Sequence, residues 1–297
     1  MEENTPNKKE DALSDDKSVN ETKAKKNQPY TTKQKVIITL AIVLILVAIA
    51  WVIYFIIDYI RGQKTYDNLS DDYTVSDTGK WYEMMNVDFA RLKEINKDTR
   101  GWLFFENEDI SYPIVQAADD DYYLNTSFEG APLRAGSIFL EALNKGDFSD
   151  KNSIIYGHNM RDQSMFGKLQ KYKFEENYYK DHLYFQVITP DRKYRFQIFS
   201  YNDVSETSDV YTITFATDRE YVDFIRMVKQ LSQANIDVPN VAEENATPDE
   251  QIIQNYKRLT TLSTCTSQDD MRFVVIGTLV GEYDTINKKL IYDSVEF

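Results

Sequence analysis

Cysteine occurs once in the 297 residues, at position 265, and histidine twice, at 158 and 182. A single thiol cannot close a disulfide within the chain. With two scattered imidazoles it also makes no recognisable zinc-ligand set, so neither a metal nor another cofactor is expected. The 10 glycines form no phosphate-cradling loop, and no segment repeats itself. Lysine and arginine together number 34 against 48 acidic residues, a formal net charge of −14. No basic patch invites nucleic acid, and the acidic excess reads as a solvated surface.

Long apolar runs are equally scarce, and the single one is decisive. Val36 to Ile57 holds no charge. At about 1.5 Å per residue it spans roughly 33 Å, enough for a hydrocarbon core. It exceeds the apolar core of about 7 to 15 residues of a cleavable signal peptide. Trp51, Tyr54 and Phe55 near its end suit a membrane interface. Lys23, Lys25, Lys26, Lys33 and Lys35 precede the run, whereas only Arg61 and Lys64 follow it closely. That asymmetry predicts a single-pass protein of the cell membrane, with its amino terminus in the cytoplasm and the remainder outside. The expected division is a polar, non-periodic tail over 1–35, an anchor over 36–57, a linker over 58–80 and one domain over 81–297.

Within that domain, Trp81, Met84, Met85, Leu92 and Ile95 recur near helical spacing and stop before Gly101, predicting an amphipathic helix that packs on the domain. Short β-like runs follow at Trp102 to Phe105, Ile110 to Val115, Ser137 to Leu140, Ser153 to Tyr156, Leu183 to Thr189, Tyr194 to Tyr201, Val210 to Phe215, Leu259 to Cys265 and Phe273 to Val280. Together they predict a closed antiparallel sheet. One helix interrupts them: Thr217 with Glu220 forms a candidate capping box, and Val222, Ile225, Val228 and Leu231 share a face. The polar, acidic segment Val241 to Glu250 reads as an exposed connection.

The chemistry centres on the lone thiol. An unpaired cysteine in an exported chain is either a chance core residue or a retained nucleophile. A nucleophilic thiol needs a base or a positive charge beside it. His158 follows a β-run that breaks at Gly157, a good place to present a side chain to a cleft, whereas His182 lies in a polar run and reads as surface. Arg272 opens the strand after Cys265, where a guanidinium can reach the sulfur or pair with Asp269 or Asp270. With metal and disulfide chemistry set aside, acyl transfer through a thioester remains, with the arginine or backbone amides stabilising an oxyanion.

These residues carry a resemblance. Thr261-Leu-Ser-Thr-Cys265 with Arg272-Phe-Val-Val, and Ile154-Ile-Tyr-Gly-His158-Asn-Met160 continuing to Ser164-Met-Phe-Gly167, resemble the nucleophile, arginine and histidine segments of class B sortases. These are membrane-anchored cysteine transpeptidases of Gram-positive bacteria. Gly101-Trp102, Tyr112-Pro-Ile-Val-Gln116, Asp121-Tyr-Tyr-Leu-Asn125 and Gly136-Ser-Ile-Phe139 are also similar, and the match runs from about Trp81 to Val280. The resemblance implies an eight-stranded β-barrel with extra helices, one of them between the sixth and seventh strands, which the segment Thr217 to Ala234 would fill.

It also implies roles. Cys265 would attack the Thr–Gly-like bond of a carboxy-terminal sorting motif in a secreted surface protein. His158 would carry the leaving-group and incoming-amine protons, and Arg272 would steady the substrate or its oxyanion. The acyl group would pass to an amine of a peptidoglycan precursor. Asn125, Ser263 and Thr264 match places near the family's peptide groove. The connection from Cys265 to Arg272 is short and holds Ser267, Gln268, Asp269 and Asp270, which leaves its part in substrate choice open. Three other readings stay open from sequence: a pilin lysine as the acceptor, a cysteine hydrolase that uses water, and a tethered binding protein with an inert thiol.

Overall fold

The computed structural model describes residues 30–76, 79–265 and 270–295, without the side chains at 75, 76 and 265. Residues 1–29 of the expected tail, and Ser267, Gln268 and Asp269, lie outside the described residues.

The chain divides between Ile53 and Tyr54 into two compact units. Helix α1 (Thr32–Tyr73) runs through that boundary. In the first unit its apolar side chains, Val36, Leu40, Leu44 and Leu46 among them, are exposed. A helix with exposed apolar side chains all round suits lipid, and α1 is long and apolar enough to cross a membrane. In the second unit the helix buries Gly62, Tyr66 and Leu69 at helical spacing. Most of the expected linker is therefore helical.

Strand β1 (Thr74–Ser76) pairs antiparallel with β2 (Met85–Val87). The single helix expected over Trp81 to Ile95 is instead three pieces: a 3-10 turn at Trp81–Glu83, β2, and helix α2 (Phe89–Ile95). The reason is local. Pairing with β1 extends the backbone at Met85–Val87, and the Asp88 side chain then accepts from Arg91 N at 3.1 Å to start a fresh helix.

The barrel strands are β3 (Thr99–Phe105), β4 (Ser111–Val115), β5 (Ile138–Leu140), β6 (Asn152–Tyr156), β7 (Tyr184–Ile188), β8 (Arg192–Ser205), β9 (Leu259–Cys265) and β10 (Met271–Asp284). In the order β10-β8-β7-β3-β4-β5-β6-β9 they close back on β10, giving the expected ring of eight, while β11 (Lys289–Asp293) extends β10 as a hairpin. The sheet is not wholly antiparallel, because β4–β5 and β6–β9 are parallel pairs. Parallel neighbours need a long crossover, and the chain between each pair supplies it.

Helix α3 (Lys171–Phe174) lies between β6 and β7, and helix α4 (Asp218–Leu231) between the sixth and seventh barrel strands, where a helix was expected. Thr217 caps α4 by accepting from Glu220 N at 3.2 Å, but the Glu220 carboxylate accepts from Ala216 N, so the box is only half formed. The reciprocal box is at Thr247 and Glu250, where it opens helix α5 (Pro248–Asn255) at the end of the segment read as a connection. Val210–Phe215 is not a strand either. Ser208 Oγ accepts from Val210 N and opens a 3-10 turn at Asp209–Tyr211.

Burial on both faces explains the unbroken apolar run of β10. Phe273 and Val275 join the barrel interior with Trp102, Phe185 and Leu262. Their alternates Val274 and Ile276 pack outside with Phe199, Leu259 and the α4 residues Tyr221, Phe224, Ile225 and Val228. Sealed on that side by α4, the wall between β6 and β10 is a rigid base for the strand ends described next.

Candidate active site

Strand β9 lies between β6 and β10, and its pairing with each brings three distant positions together. Its register with β6 is parallel, Tyr156 beside Ser263, and Gly157 N donates to Ser263 O at 3.1 Å, one residue past the end of β6. Two residues beyond these partners stand His158 and Cys265. On the other side β10 runs antiparallel, with Arg272 directly opposite Cys265. Positions 158, 265 and 272 thus share one end of the barrel. The Cys265 side chain lies outside the described residues.

Gly157 is required by space. A Cβ there would lie 2.4 Å from Ile138 Cδ1 and 2.8 Å from the Phe166 ring. The chain leaves the strand closely packed and delivers His158 half-buried. Phe166 N donates to the His158 carbonyl at 2.9 Å, so main chain holds the residue on both sides.

The imidazole is oriented by Leu124. His158 Nε2 is 2.6 Å from Leu124 O, and a carbonyl oxygen only accepts, so Nε2 carries a hydrogen. In the neutral ring Nδ1 is then the basic nitrogen. Leu124 is itself set by Gly136, whose φ of +56° and lack of a Cβ admit the carbonyls of Tyr123 and Leu124; a Cβ would meet both at 2.5 Å.

Arg272 is one-quarter exposed and forms an ion pair with Glu206 through Nη2 at 2.8 Å, while Nη1 donates to Met271 O at 2.9 Å. Glu206 follows the end of β8, which pairs Val204 with Arg272. The sequence left Asp269 or Asp270 open as a partner; Asp269 lies outside the described residues, and Glu206, just past the strand beside β10, is brought to the guanidinium by strand register.

Ser263 is buried, and its Oγ is 2.9 Å from Tyr211 Oη. Thr264 pairs with Phe273, an interior residue, so its buried hydroxyl faces away from Ser263 and has no hydrogen-bond partner among the described residues. Asn125 is exposed one residue after Leu124, and its carbonyl accepts from Leu133 N at 2.9 Å. His182, read as a surface residue, is half-buried: its ring stacks on Tyr178 at 3.8 Å and its Nδ1 bonds to Tyr178 O at 2.9 Å. It belongs to the β6–β7 connection and carries a structural contact.

Sequence reasoning missed several neighbours. Tyr211 stacks on Tyr156 at 6.3 Å, but its alternating surroundings read as a strand; the Ser208-Asp209 pair was the turn signal. Tyr156 Oη donates to Glu141 Oε2 at 2.9 Å. Burial, then the neighbouring Glu141, push the Asp120 carboxyl up to about 7. The Leu124 carbonyl has no signal in sequence at all.

Known proteins are similar to this chain. Residues 106–280 match the Sortase domain family. Sortase B of Listeria monocytogenes is 36% identical over 194 residues, covering 64% of this chain and 72% of that protein. Sortase B of Staphylococcus aureus is 30% identical over 204 residues, covering 68% and 78% respectively. Among solved structures, sortase B of Bacillus anthracis in complex with AAEK1 aligns with a TM-score of 0.60 at 28% identity, over 76% of this chain and 99% of that one. The Staphylococcus aureus sortase B–substrate complex aligns with a TM-score of 0.56 at 31% identity, over 65% and 84%. With its closed ring of eight strands and its inserted α4, the chain belongs to the sortase family, in class B, and is a cysteine transpeptidase.

Proposed function

We propose that the enzyme cleaves a carboxy-terminal sorting motif through a thioester on Cys265 and transfers the acyl group to an amine of a peptidoglycan precursor. The Cys265 thiolate attacks the scissile carbonyl, and the tetrahedral intermediate bears an oxyanion that Arg272 steadies. On collapse, the imidazolium of His158 gives its Nδ1 proton to the departing amine, leaving the acyl group on sulfur. The acceptor amine attacks the thioester, neutral His158 takes the surplus proton at Nδ1, and the Cys265 sulfur departs as thiolate, which restores the starting thiolate and imidazolium. The Nε2–Leu124 hydrogen bond persists through both half-reactions and stabilises the imidazolium when it forms.

The observation that carries this reading is the register of β6, β9 and β10, which aligns 158, 265 and 272 at one barrel end. Asn125 and Ser263 flank that end as candidate substrate contacts, whereas the interior-facing hydroxyl of Thr264 favours a packing role. We place the anchor at 36–57, the tail before it in the cytoplasm and the catalytic domain outside. Substrate and precursor are then held at the same surface, which raises their effective concentration.

A fluorogenic library of candidate sorting motifs, run with and without amine acceptors on the full-length chain, tests the proposal. Acyl product trapped by hydroxylamine is expected with the parent enzyme and absent from Cys265→Ala. Trapped product in that variant would overturn the scheme, release without any amine would mark a hydrolase, and covalent ladders with a pilin would make pilin lysine the acceptor.

A further inference from the structure

The half of α1 in the second unit lies against the two segments that hold His158. Gly62 faces Leu133, where a Cβ would lie 3.4 Å from Leu133 Cδ1. One turn on, the buried Tyr66 donates its hydroxyl to the Gly136 carbonyl and comes within 3.1 Å of Ser137 Oγ. Those two residues back Leu124 directly: a Cβ at Gly136 would meet the Leu124 carbonyl, and Ser137 N donates to Tyr123 O at 3.0 Å. The ring of Tyr66 meets Tyr112 edge-on at 5.6 Å, and Tyr112 Oη accepts from Met165 N at 3.0 Å. Met165 closes the hairpin that follows His158: it bridges Asn159, and the next residue, Phe166, donates to the His158 carbonyl. Gln163 and Met165 both hold positive φ, +67° and +53°, which non-glycine residues keep only where their surroundings fix them. A cavity of about 150 Å³, lined by Gln63 of α1 and by Met160 and Ser164 of the hairpin, leaves the hairpin underpacked on this side and concentrates its support at Tyr112. Tyr66 has no part in the chemistry above.

We infer that Tyr66 of α1 is a positioning residue for His158, acting through Gly136 and Ser137 on the carbonyl that receives Nε2–H, and through Tyr112 on the hairpin that fixes the His158 main chain. The helix that carries the apolar run is thereby also part of the catalytic scaffold. The inference rests on the reading of His158 as proton carrier. The two routes serve the two ends of one bond: the Leu124 carbonyl moves with Gly136, and the imidazole moves with its own backbone. A hydrogen bond of 2.6 Å tolerates little displacement at either end. Loosening either end releases the ring to its other tautomer and takes the Nδ1 proton away from the departing amine. That lowers kcat without weakening peptide binding.

Full-length protein in detergent micelles, with the best library peptide and hydroxylamine as acceptor, gives the test. Tyr66→Phe removes the hydroxyl and keeps the ring on Tyr112, whereas Tyr66→Leu removes both. The kcat per titrated site should fall about threefold in the first and about tenfold or more in the second, with KM little changed. Arg91→Ala removes the bond from Arg91 Nη1 to Asp72 O at 3.1 Å, which loosens the last turn of α1 without touching Gly136, and should leave kcat at the parent value. With nitrogen-15 histidine only two imidazoles report, and His182, stacked on Tyr178, is the internal control. At about pH 8 the single Nε2–H tautomer of His158 in the parent should become a mixture in both Tyr66 variants. Should Tyr66→Leu not fold, Tyr66→Phe and Tyr112→Phe carry the test, each with the smaller loss. A structural role alone would lower thermal stability and leave both readouts per folded molecule at parent values; that result, or a parent-like His158 spectrum beside a lowered kcat, would overturn the inference. If parent and variants alike transfer no acyl group but the His158 spectrum still changes, the positioning stands and the proton-carrier reading falls.

Discussion

The guanidinium of Arg272 is ion-paired with Glu206 at 2.8 Å across the adjoining ends of β10 and β8. The pair aims the group from a rigid strand end. Arg272→Ala is expected to reduce kcat/KM by roughly 10²–10³, the usual loss when one oxyanion donor goes. Arg272→Lys should recover only part, because a point charge does not reproduce the planar fork. Glu206 is half exposed, so Glu206→Gln should cost about tenfold at most. Steady-state kinetics on the three variants checks the order, and a Glu206→Gln loss as large as that of Arg272→Ala would contradict it.

Gly157 joins β6 to His158 in a space with no room for a methyl group. Gly157→Ala should destabilise the domain by about 1–3 kcal/mol through overpacking against Ile138 and Phe166. It should also lower kcat more than a loss of folded fraction explains, since His158 moves with it. Denaturant unfolding combined with active-site titration separates the two effects.

Arg195 and Glu106 form a buried ion pair inside the sheet, their side chains 2% and 6% exposed. Gln186 Nε2 adds a hydrogen bond to Glu106 at 3.0 Å. Removing one member, as in Glu106→Leu, should cost about 3–5 kcal/mol by stranding a buried charge, whereas the double change Arg195→Met with Glu106→Leu should recover most of it. A double-mutant cycle in urea that shows no recovery would contradict this account.

Glu108 has a pH signature. Burial alone would raise its carboxyl, but hydrogen bonds from Lys171 and Tyr178 outweigh it and hold the group down at about 2. The folded value lies below the ordinary 4.5, so the contribution is present above about pH 4.5 and lost as pH falls toward about 2. Glu108→Gln should flatten the acid limb of the stability curve in that window. Acid unfolding followed by circular dichroism checks it, and an unchanged limb would refute the assignment.

Much of the architecture was legible because it is written in local periodicity. Period-two runs mark most barrel strands, Thr217 marks the start of α4, and the uncharged run marks the apolar helix. The misreadings arose where local pattern competes with a partner distant in sequence. Met85–Val87 continue a helical spacing until β1 draws them into a ladder, and Val210–Phe215 alternate like a strand but pair with no strand among the described residues. The site divides the same way. Cys265, His158 and Arg272 stood out by residue type, rarity and their positions at strand ends, whereas Tyr211 looked like an ordinary strand residue.

By itself, then, the sequence determined the chemical inventory, one thiol and two imidazoles, and the local elements that carry it, since rotamers, caps and alternation depend only on near neighbours. The tertiary structure alone decided that β6 lies parallel to β9, that Glu206 meets Arg272 and that a main-chain carbonyl orients His158. Every residue has the same carbonyl, and strand partners are chosen by closure of the ring, so neither fact is encoded in the identity of any one side chain.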